Sequence, residues 1–432
     1  MAIPHTVEQI ELPNGIRGLL IDTPNTPVVS YSLKFRSGPD KATRAYPFQV
    51  GHTLEHIVEA GPDDPKYPHK AEYLQEIMKN GAWRNAFTGE FGICYMAECV
   101  SEEALRILKL RLQGIENPKL KKTILKSESG NVLEEMRQRV SDYGRLVTAL
   151  SRKTLSDGNW QTSKEAMAEA ESVTLEQVKD YYTATHTAEN LQFVVSGDMT
   201  HLRDGIIETF SASRIQKGKR LTGPATRPSA IVGYRYEKRE SLENIFTNYA
   251  LAISRELTAK EVATMAIVNN ILCNTWNSRI LGKARAKGLC YSMSGYMDAL
   301  AKTQSIWMLS TPIGQPNAKA FFTLMKDALK DVSENGVTDE ELQAAKAILT
   351  GQLKKNGQTT FALLEMYADS YFSLDKIVST DDQIEGLKNV SSHDIAALVH
   401  EFTTSESRVF SGVGSVEEEE FKAIYDVLNG AS

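Results

Sequence analysis

The sequence has few cysteines and no surplus of positive charge, and both shortages exclude classes of protein. Four cysteines occur in 432 residues, and none forms a CxxC pair. A disulfide-stapled scaffold needs a denser set, so we expect free thiols, buried or half-buried, in a reducing compartment. The formal net charge is -6 at pH 7. Because nucleic-acid-binding domains usually carry a basic surplus, we expect no nucleic-acid partner.

Long apolar runs are also missing. No segment offers the roughly 18 consecutive apolar residues that a membrane-spanning helix needs, so we expect no membrane span. The first residues, MAIPHTVEQIELPNG, contain neither a basic stretch nor an apolar core, unlike a secretory signal peptide. We therefore expect a cytoplasmic protein. With 41% hydrophobic residues, the chain is long enough to build more than one globular core.

The predicted elements occur in the same order in both halves of the chain. Each half ends with a helix, an apolar strand (Leu191–Ser196 or Ser407–Val413), a glycine and a short acidic helix. Residues 213–229 between the halves are basic, hold two prolines and two glycines, and are typical of a linker. We predict an α+β fold with two similar lobes, 1–212 and 230–432, each a mainly antiparallel sheet packed with helices. The repeated order indicates that the lobes are related by duplication.

His52, Glu55 and His56 form an H-x-x-E-H motif in a segment with helix signals between Pro47 and Gly61. Two histidines four residues apart lie on one helical face, so both imidazoles can reach one ion. Zinc prefers such nitrogen ligands and keeps one position open for water in catalytic centres. The neighbouring carboxylate can accept the proton of that water. Histidine is scarce here, eight residues in all, and a chance match has odds on the order of one in a hundred.

A catalytic zinc site needs a third protein ligand. A polar helix is predicted from Pro118 to about Arg152, and it carries Glu128, Glu134 and Glu135. Glu128 and Glu135 are seven residues apart and share one face of such a helix, whereas Glu134 points elsewhere. Acidic clusters of this kind are more often a solvated helix surface. Spacing alone therefore leaves the third ligand undecided.

H-x-x-E-H is the inverted zinc motif. The chain resembles the insulinase–pitrilysin family of zinc metallopeptidases, which includes the mitochondrial processing peptidases and small bacterial homologues. In that family a glutamate ligand follows within an E-x-x-x-V-x-x-E pattern, which this chain matches from Glu128 to Glu135, 79 residues after His56. The resemblance implies one zinc ion per chain, held by His52, His56 and Glu135. It implies that Glu55 is the general base and that Glu128 is a supporting carboxylate.

The resemblance extends over essentially the whole chain. Residues 35–56 resemble the strand and loop that lead into the family's zinc helix. Asn85, Ala86, Phe87 and Thr88 match an N-A-x-T segment on the strand beside the substrate, which implies that these four residues bind substrate. A peptide that adds to a strand edge pairs through its backbone, and such binding tolerates many sequences.

In the second half, a stretch beginning at Ser278 resembles the family pattern S-R-L…R…GL-x-Y. In that pattern an arginine and a tyrosine bind substrate and stabilise the transition state. The matching residues are Arg285, which follows a helix predicted over 259–284, and Tyr291. One residue fewer separates them here than in the family pattern.

The resemblance implies a zinc endopeptidase for short or unfolded peptides. Family members of this length resemble half of the longer enzymes, which close a chamber around the substrate. The chain is therefore expected to close its chamber as a homodimer or as a heterodimer with a related chain. Three alternatives remain open. They are a non-catalytic partner subunit of a heterodimeric peptidase, a hydrolase of non-peptide substrates such as esters, and a scaffold protein whose histidines are structural.

Overall fold

The chain forms two compact units in the computed structural model. Unit 1 comprises Met1–Arg137, Glu165–Pro224 and Lys354–Thr380. Unit 2 comprises Gln138–Lys164, Ala225–Leu353 and Asp381–Ser432. The residues that the structure describes are 3–37, 46–89, 92–156, 160–221, 228–301 and 303–430.

Two sequence predictions fall partly outside the described residues. They concern residues 38–45, in the segment that leads into the predicted zinc helix, and residues 222–227 of the predicted linker.

Unit 1 is built on a six-stranded sheet with the order β1-β2-β6-β3-β5-β4. Its strands are β1 (Thr6–Glu11), β2 (Arg17–Asp22), β3 (Val28–Phe35), β4 (Trp83–Gly89), β5 (Gly92–Val100) and β6 (Leu191–Gly197). The strand pairs are antiparallel except for β2 with β6. Every residue of β6 is buried, as its apolar run predicts for a strand covered on both faces. In the part of the chain that is described, β4 pairs with β5 alone and forms an edge.

The helices of the first half are of ordinary length, and most of them are amphipathic. They are α1 (Val50–Glu59), α2 (Lys70–Met78), α3 (Ala104–Glu116), α4 (Lys122–Val140), α5 (Tyr143–Leu155), α6 (Ser163–Ala170), α7 (Leu175–Thr185) and α8 (Arg203–Ser211). Helices α1, α3, α7 and α8 pack on one face of the unit 1 sheet and form its main apolar core. This core holds α1, and with it the H-x-x-E-H motif, against the sheet.

Unit 2 repeats this arrangement with a five-stranded sheet. Its strands are β7 (Ile231–Lys238), β8 (Asn244–Ile253), β9 (Ser294–Ala301), β10 (Gln304–Gly314) and β11 (Ser407–Gly414). The order β7-β11-β8-β10-β9 reproduces β2-β6-β3-β5-β4, including one parallel pair at the same position. The predicted α+β fold with two similar, mainly antiparallel sheets is therefore confirmed.

The helices of the second half complete both units. They are α9 (Ala259–Leu272), α10 (Leu281–Ala286), α11 (Gln315–Asn335), α12 (Asp339–Asn356), α13 (Thr360–Leu374), α14 (Thr380–Lys388), α15 (Ser392–Thr404) and α16 (Glu418–Asn429). In unit 2, α9, α11, α15 and α16 contribute to the main core, and α5 covers the opposite face of the sheet. In unit 1, α13 covers the second sheet face. Each predicted lobe is one continuous stretch of sequence. In the structure, unit 1 also includes α13 from the second half of the chain, and unit 2 also includes α5 from the first half.

Two long helices predicted from the sequence are each divided in the structure. The helix predicted from Pro118 to about Arg152 becomes α4 and α5, because the Asp142 side chain accepts a hydrogen bond from the Arg145 backbone N–H and caps a new helix. The helix predicted over 259–284 becomes α9 and α10. Between them the Ser278 hydroxyl donates to a backbone carbonyl, the kind of local bond that competes with a helical ladder.

The sequence predicts no membrane-spanning helix and free rather than disulfide-bonded cysteines, and the described residues bear on both predictions. None of their helices combines the length and the apolar content that crossing a membrane requires. Cys94, Cys99 and Cys273 are buried, Cys290 is half-buried, and all four are free thiols, as predicted.

Candidate functional site

Helix α1 presents the H-x-x-E-H motif. Its apolar residues Leu54 and Ile57 are fully buried in the unit 1 core, which fixes the rotation of the helix. His52 and His56 lie one turn apart, with ring centroids 4.9 Å apart and planes inclined at 74°. Gly51 allows the backbone of α1 to lie close to the backbone at Ser37, because a Cβ at Gly51 would lie 3.0 Å from the Ser37 carbonyl oxygen.

Glu135 on α4 completes a group of three ligand-type side chains. Its Oε2 lies 3.3 Å from Nε2 of His52 and 3.4 Å from Nε2 of His56. Among the described residues, these three form the one group of histidine, cysteine and carboxylate side chains with metal-site spacing, and their donor atoms lie within 4.8 Å of one another. Glu134 instead lies 3.1 Å from the exposed Arg137, on another side of α4.

The chemistry of this donor set fits a zinc ion. Zinc binds histidine nitrogen and carboxylate oxygen at about 2.1 Å, and tetrahedral ligands at that radius are about 3.4 Å from each other. The observed separations of 3.3 and 3.4 Å between the Glu135 oxygen and the two imidazole nitrogens match this value. Three protein donors also leave one tetrahedral position for water or substrate, as in catalytic zinc centres.

Glu128 precedes Glu135 on the same face of α4 and contacts the other nitrogen of His56. Its Oε2 is 3.5 Å from His56 Nδ1, and it accepts hydrogen bonds from Lys70 Nζ at 2.8 Å and from Asn131 Nδ2 at 3.0 Å. Burial alone would raise the pKa of this carboxyl, but the hydrogen bonds from His56, Lys70 and Asn131 outweigh it and lower the pKa to about 2. An ionised Glu128 orients the imidazole so that Nε2 faces Glu135.

Lys70 is expected to act on the site through Glu128. A Lys70→Met substitution keeps the aliphatic stem and removes the ammonium group that holds Oε2, so the orientation of His56 should loosen. We expect zinc affinity to fall by about ten-fold, the lower range for partners of metal ligands. Competition with a chromophoric chelator measures the change. The control is Lys126→Met, which removes the same charge from an exposed position on α4; an equal loss in both variants would contradict a role for the Lys70 contact.

Glu55 faces the edge strand β4. It is 7% exposed, and its Oε2 accepts a hydrogen bond from the Thr88 hydroxyl at 2.6 Å. Along β4, Asn85 and Phe87 are exposed, whereas Ala86 and Thr88 are half-buried. The structure therefore brings part of the predicted substrate strand into direct contact with the predicted general base.

A buried ionic group beneath this strand has no counterpart in the sequence prediction. Glu59 on α1 forms ion pairs with Arg84 of β4 and with Arg111 of α3, the latter at 2.6 Å. Both Glu59 oxygens are inaccessible, and Arg111 is 3% exposed. Burial lowers the pKa of Arg111. Burial of Arg84 and the positive charge of the nearby Arg111 lower the pKa of Arg84 to about 10. One feature of the sequence indicates this group: Glu59 follows Glu55 by one helical turn and lies among the apolar residues Ile57, Val58 and Ala60. A charge in such a segment is rarely buried without a partner of opposite charge.

Arg285 and Tyr291 contact each other in unit 2. The Arg285 guanidinium lies 4.6 Å from the centroid of the Tyr291 ring and 4.0 Å from that of Trp276, and it donates to the Tyr291 carbonyl. Tyr291 is 80% exposed and Trp276 is 74% exposed. The structure thus joins the two residues that the family pattern singles out, despite the shorter spacing between them. Trp276 was not predicted from the sequence.

Known proteins resemble this chain along its length. Residues 17–166 match the family described as Insulinase (Peptidase family M16), and residues 172–349 match the one described as Peptidase M16 inactive domain. An uncharacterised zinc protease of Streptomyces coelicolor is 21% identical over 98% of this chain and 93% of its own length.

Solved structures agree with these matches at the level of fold. A protease from Helicobacter pylori superposes with a TM-score of 0.84 at 15% identity, over 95% of this chain and all of its own. A protein described as a peptidase M16 inactive domain, from Pseudomonas fluorescens, gives a TM-score of 0.79 at 17% identity, over 95% of this chain and 99% of its own. Since the two family matches together cover most of the sequence, the chain belongs to the insulinase, or M16, family of peptidases.

Proposed function

We propose that this protein is a zinc-dependent endopeptidase that hydrolyses short or unfolded peptides. The observation that carries the proposal is the donor set of His52, His56 and Glu135, in which the Glu135 oxygen lies 3.3 and 3.4 Å from the two imidazole nitrogens, with Glu55 one residue before His56 on the same helix. The zinc protease from Streptomyces coelicolor supports the same metal. We assign one zinc ion per chain to these three ligands.

Different residues of the chain have different roles in the proposed hydrolysis of a peptide bond. Zinc held by His52, His56 and Glu135 would supply a Lewis acid that polarises the scissile carbonyl and lowers the pKa of the attacking water towards neutrality. Glu55 takes the proton of the attacking water and passes it to the leaving amine. The substrate adds as an extended strand to the β4 edge beside Asn85 and Phe87. Tyr291 and the adjacent Arg285 donate hydrogen bonds to the oxyanion.

The proposal includes a chamber closed by a second chain, either a copy of this one or a related chain. The family resemblance supports this arrangement. Light scattering of the purified protein at micromolar concentration measures it, and a mass of twice the chain is expected for the homodimer. A monomer that gains activity on mixing with a related chain would indicate the heterodimer.

The decisive experiment compares zinc-loaded wild type with zinc-loaded Glu55→Gln on a mixed pool of peptides. The amide of glutamine cannot accept the proton of water, so cleavage should fall by at least about a hundred-fold. Zinc content should stay at one ion per chain, because Glu55 is not a ligand in this assignment. Peptide products are followed by mass spectrometry, with chelator-treated wild type as the metal-free control.

Each outcome separates the candidate functions. A Glu55→Gln chain that cuts as fast as wild type would exclude Glu55 as the general base. Hydrolysis of esters without hydrolysis of peptides would indicate a different substrate class. Zinc in a wild type that cuts nothing would favour the second candidate, a non-catalytic subunit. The similarity of residues 172–349 to a domain described as inactive supports that alternative.

A further inference from the structure

We propose that Thr88 is a positioning residue for Glu55, which ties the general base to the strand edge that receives the peptide. The inference rests on the proposed function, and it deepens the role of a residue that the family pattern assigns to substrate binding. It starts from one contact, the hydrogen bond of 2.6 Å from Thr88 Oγ1 to Glu55 Oε2.

The orientation of Thr88 separates it from the peptide-binding edge. Side chains of a strand alternate between its two faces. On β4, Asn85 and Phe87 share the exposed face, and Thr88 lies on the half-buried face with Arg84. The peptide pairs with the backbone of the edge, while the Thr88 hydroxyl is directed to α1. The Thr88 side chain therefore contacts the base from the same strand whose free edge would receive the peptide.

The chemistry of the contact suits a positioning role. A hydroxyl that donates to a carboxylate makes a short, charge-assisted hydrogen bond, and 2.6 Å lies within the range for such bonds. A carboxylate has two oxygens, so a bond to Oε2 leaves Oε1 to accept a proton from water. Threonine is stiff about χ1 because it is branched at Cβ. It restrains the flexible glutamate more closely than an unbranched side chain would.

A second contact joins the same two elements. Arg84 and Thr88 lie four residues apart on β4, and their partners Glu59 and Glu55 lie four residues apart on α1. The strand and the helix are therefore fastened at two points on their facing sides. Backbone pairing of a peptide with β4 thus occurs at a fixed distance from the base, which supplies the alignment that hydrolysis needs.

The kinetic test uses the zinc-loaded full chain and one peptide from the cleaved pool. Thr88→Val removes the hydroxyl with little change of shape, and Thr88→Ser keeps it. We expect Thr88→Val to lower kcat by about ten-fold or more, the range for a hydrogen bond to a charged group, with KM and zinc content unchanged. Thr88→Ser should restore most of the rate. The matched control is Thr183→Val, which removes a hydroxyl from an exposed position on α7.

Combination with Glu55→Gln distinguishes positioning from substrate binding. If Thr88 acts through the base, Thr88→Val should add no further loss to the residual rate of Glu55→Gln. A raised KM, or an equal loss in both backgrounds, would overturn the proposal in favour of direct peptide contact.

A second measurement needs no activity. Denaturation midpoints of the zinc-free protein are compared for Thr88→Val, Glu55→Ala and the double variant. Coupled residues give a double variant whose shift is smaller than the sum of the single shifts. Additive shifts would overturn the contact. If wild type cuts no peptide, the proposed function fails, while this cycle still decides whether Thr88 holds Glu55.

Discussion

A His56→Ala chain is expected to purify almost free of zinc, whereas the wild type binds one ion per chain. Nε2 of His56 and Nε2 of His52 lie at nearly equal distances from Glu135 Oε2, so we expect the two imidazoles to contribute comparably to zinc binding. If a binding free energy of about 12 kcal/mol is shared by three ligands, each supplies about 4 kcal/mol, or about a thousand-fold in affinity. Elemental analysis and chelator competition measure the loss.

The control for this substitution is His201→Ala, which removes an exposed histidine from the same unit. A ligand that binds only the folded chain at 100 times its Kd stabilises that chain by about 2.7 kcal/mol. Added zinc should therefore raise the melting temperature of wild type and of His201→Ala, and leave that of His56→Ala unchanged. Undiminished zinc content in His56→Ala would exclude His56 as a ligand.

The zinc motif was visible in the sequence because its information is local. His52, Glu55 and His56 lie within two helical turns, and helical periodicity alone brings them to one region of α1. The choice of Glu135 over Glu134 needed the family pattern, since both lie on one polar helix. The structure brings Glu135 next to both histidines and pairs Glu134 with Arg137, and the ligand assignment stays a prediction until zinc is measured.

The contacts that position the site residues could not be predicted from the sequence. Thr88 and Glu55 are 33 positions apart, and Lys70 and Glu128 are 58 apart, so no periodic pattern links them. Each contact depends on how β4 and α2 pack against α1 and α4. Tertiary packing of this kind decides which of many surface lysines and threonines meets a carboxylate.

The fold class followed from element order, but the membership of two helices did not. The segment Thr360–Leu374, which forms α13, is apolar on most sides and was not predicted as an element. Apolar residues of α5 predict a buried face without indicating which sheet covers it. In the structure α5 packs in unit 2 and α13 in unit 1.

Glu59→Gln is expected to destabilise unit 1 strongly, because it removes the carboxylate charge that two arginines share. Arg111 is almost inaccessible, and its ion pair with Glu59 lies beside that of Arg84. Removing one partner of a buried ion pair costs about 3–5 kcal/mol, because the remaining charge is buried without compensation. Typical domains are stable by about 5–15 kcal/mol, so the loss is a large share of the total.

Hydrogen exchange of the β5 amides in native conditions measures the opening of unit 1 separately from unit 2. Their protection should fall by about two to almost four orders of magnitude on the scale of about 1.4 kcal/mol per ten-fold. Glu102→Gln, an exposed change of the same kind, should stay within about 0.5 kcal/mol of wild type. If Glu59→Gln yields no folded protein, Arg84→Met removes the less buried cation and should cost less.

Replacing all three charges together tests whether the group serves stability or position. In Glu59→Leu/Arg84→Met/Arg111→Met no buried charge is left unpaired, and apolar replacements of buried ion pairs are often neutral or stabilising. Stability should therefore recover, while β4 loses its ionic attachment to α1. A recovered fold with a lowered kcat would show that the ion group aligns the peptide edge with Glu55. Recovery of both stability and kcat would show that Glu59, Arg84 and Arg111 only compensate one another's buried charges and do not align the peptide edge.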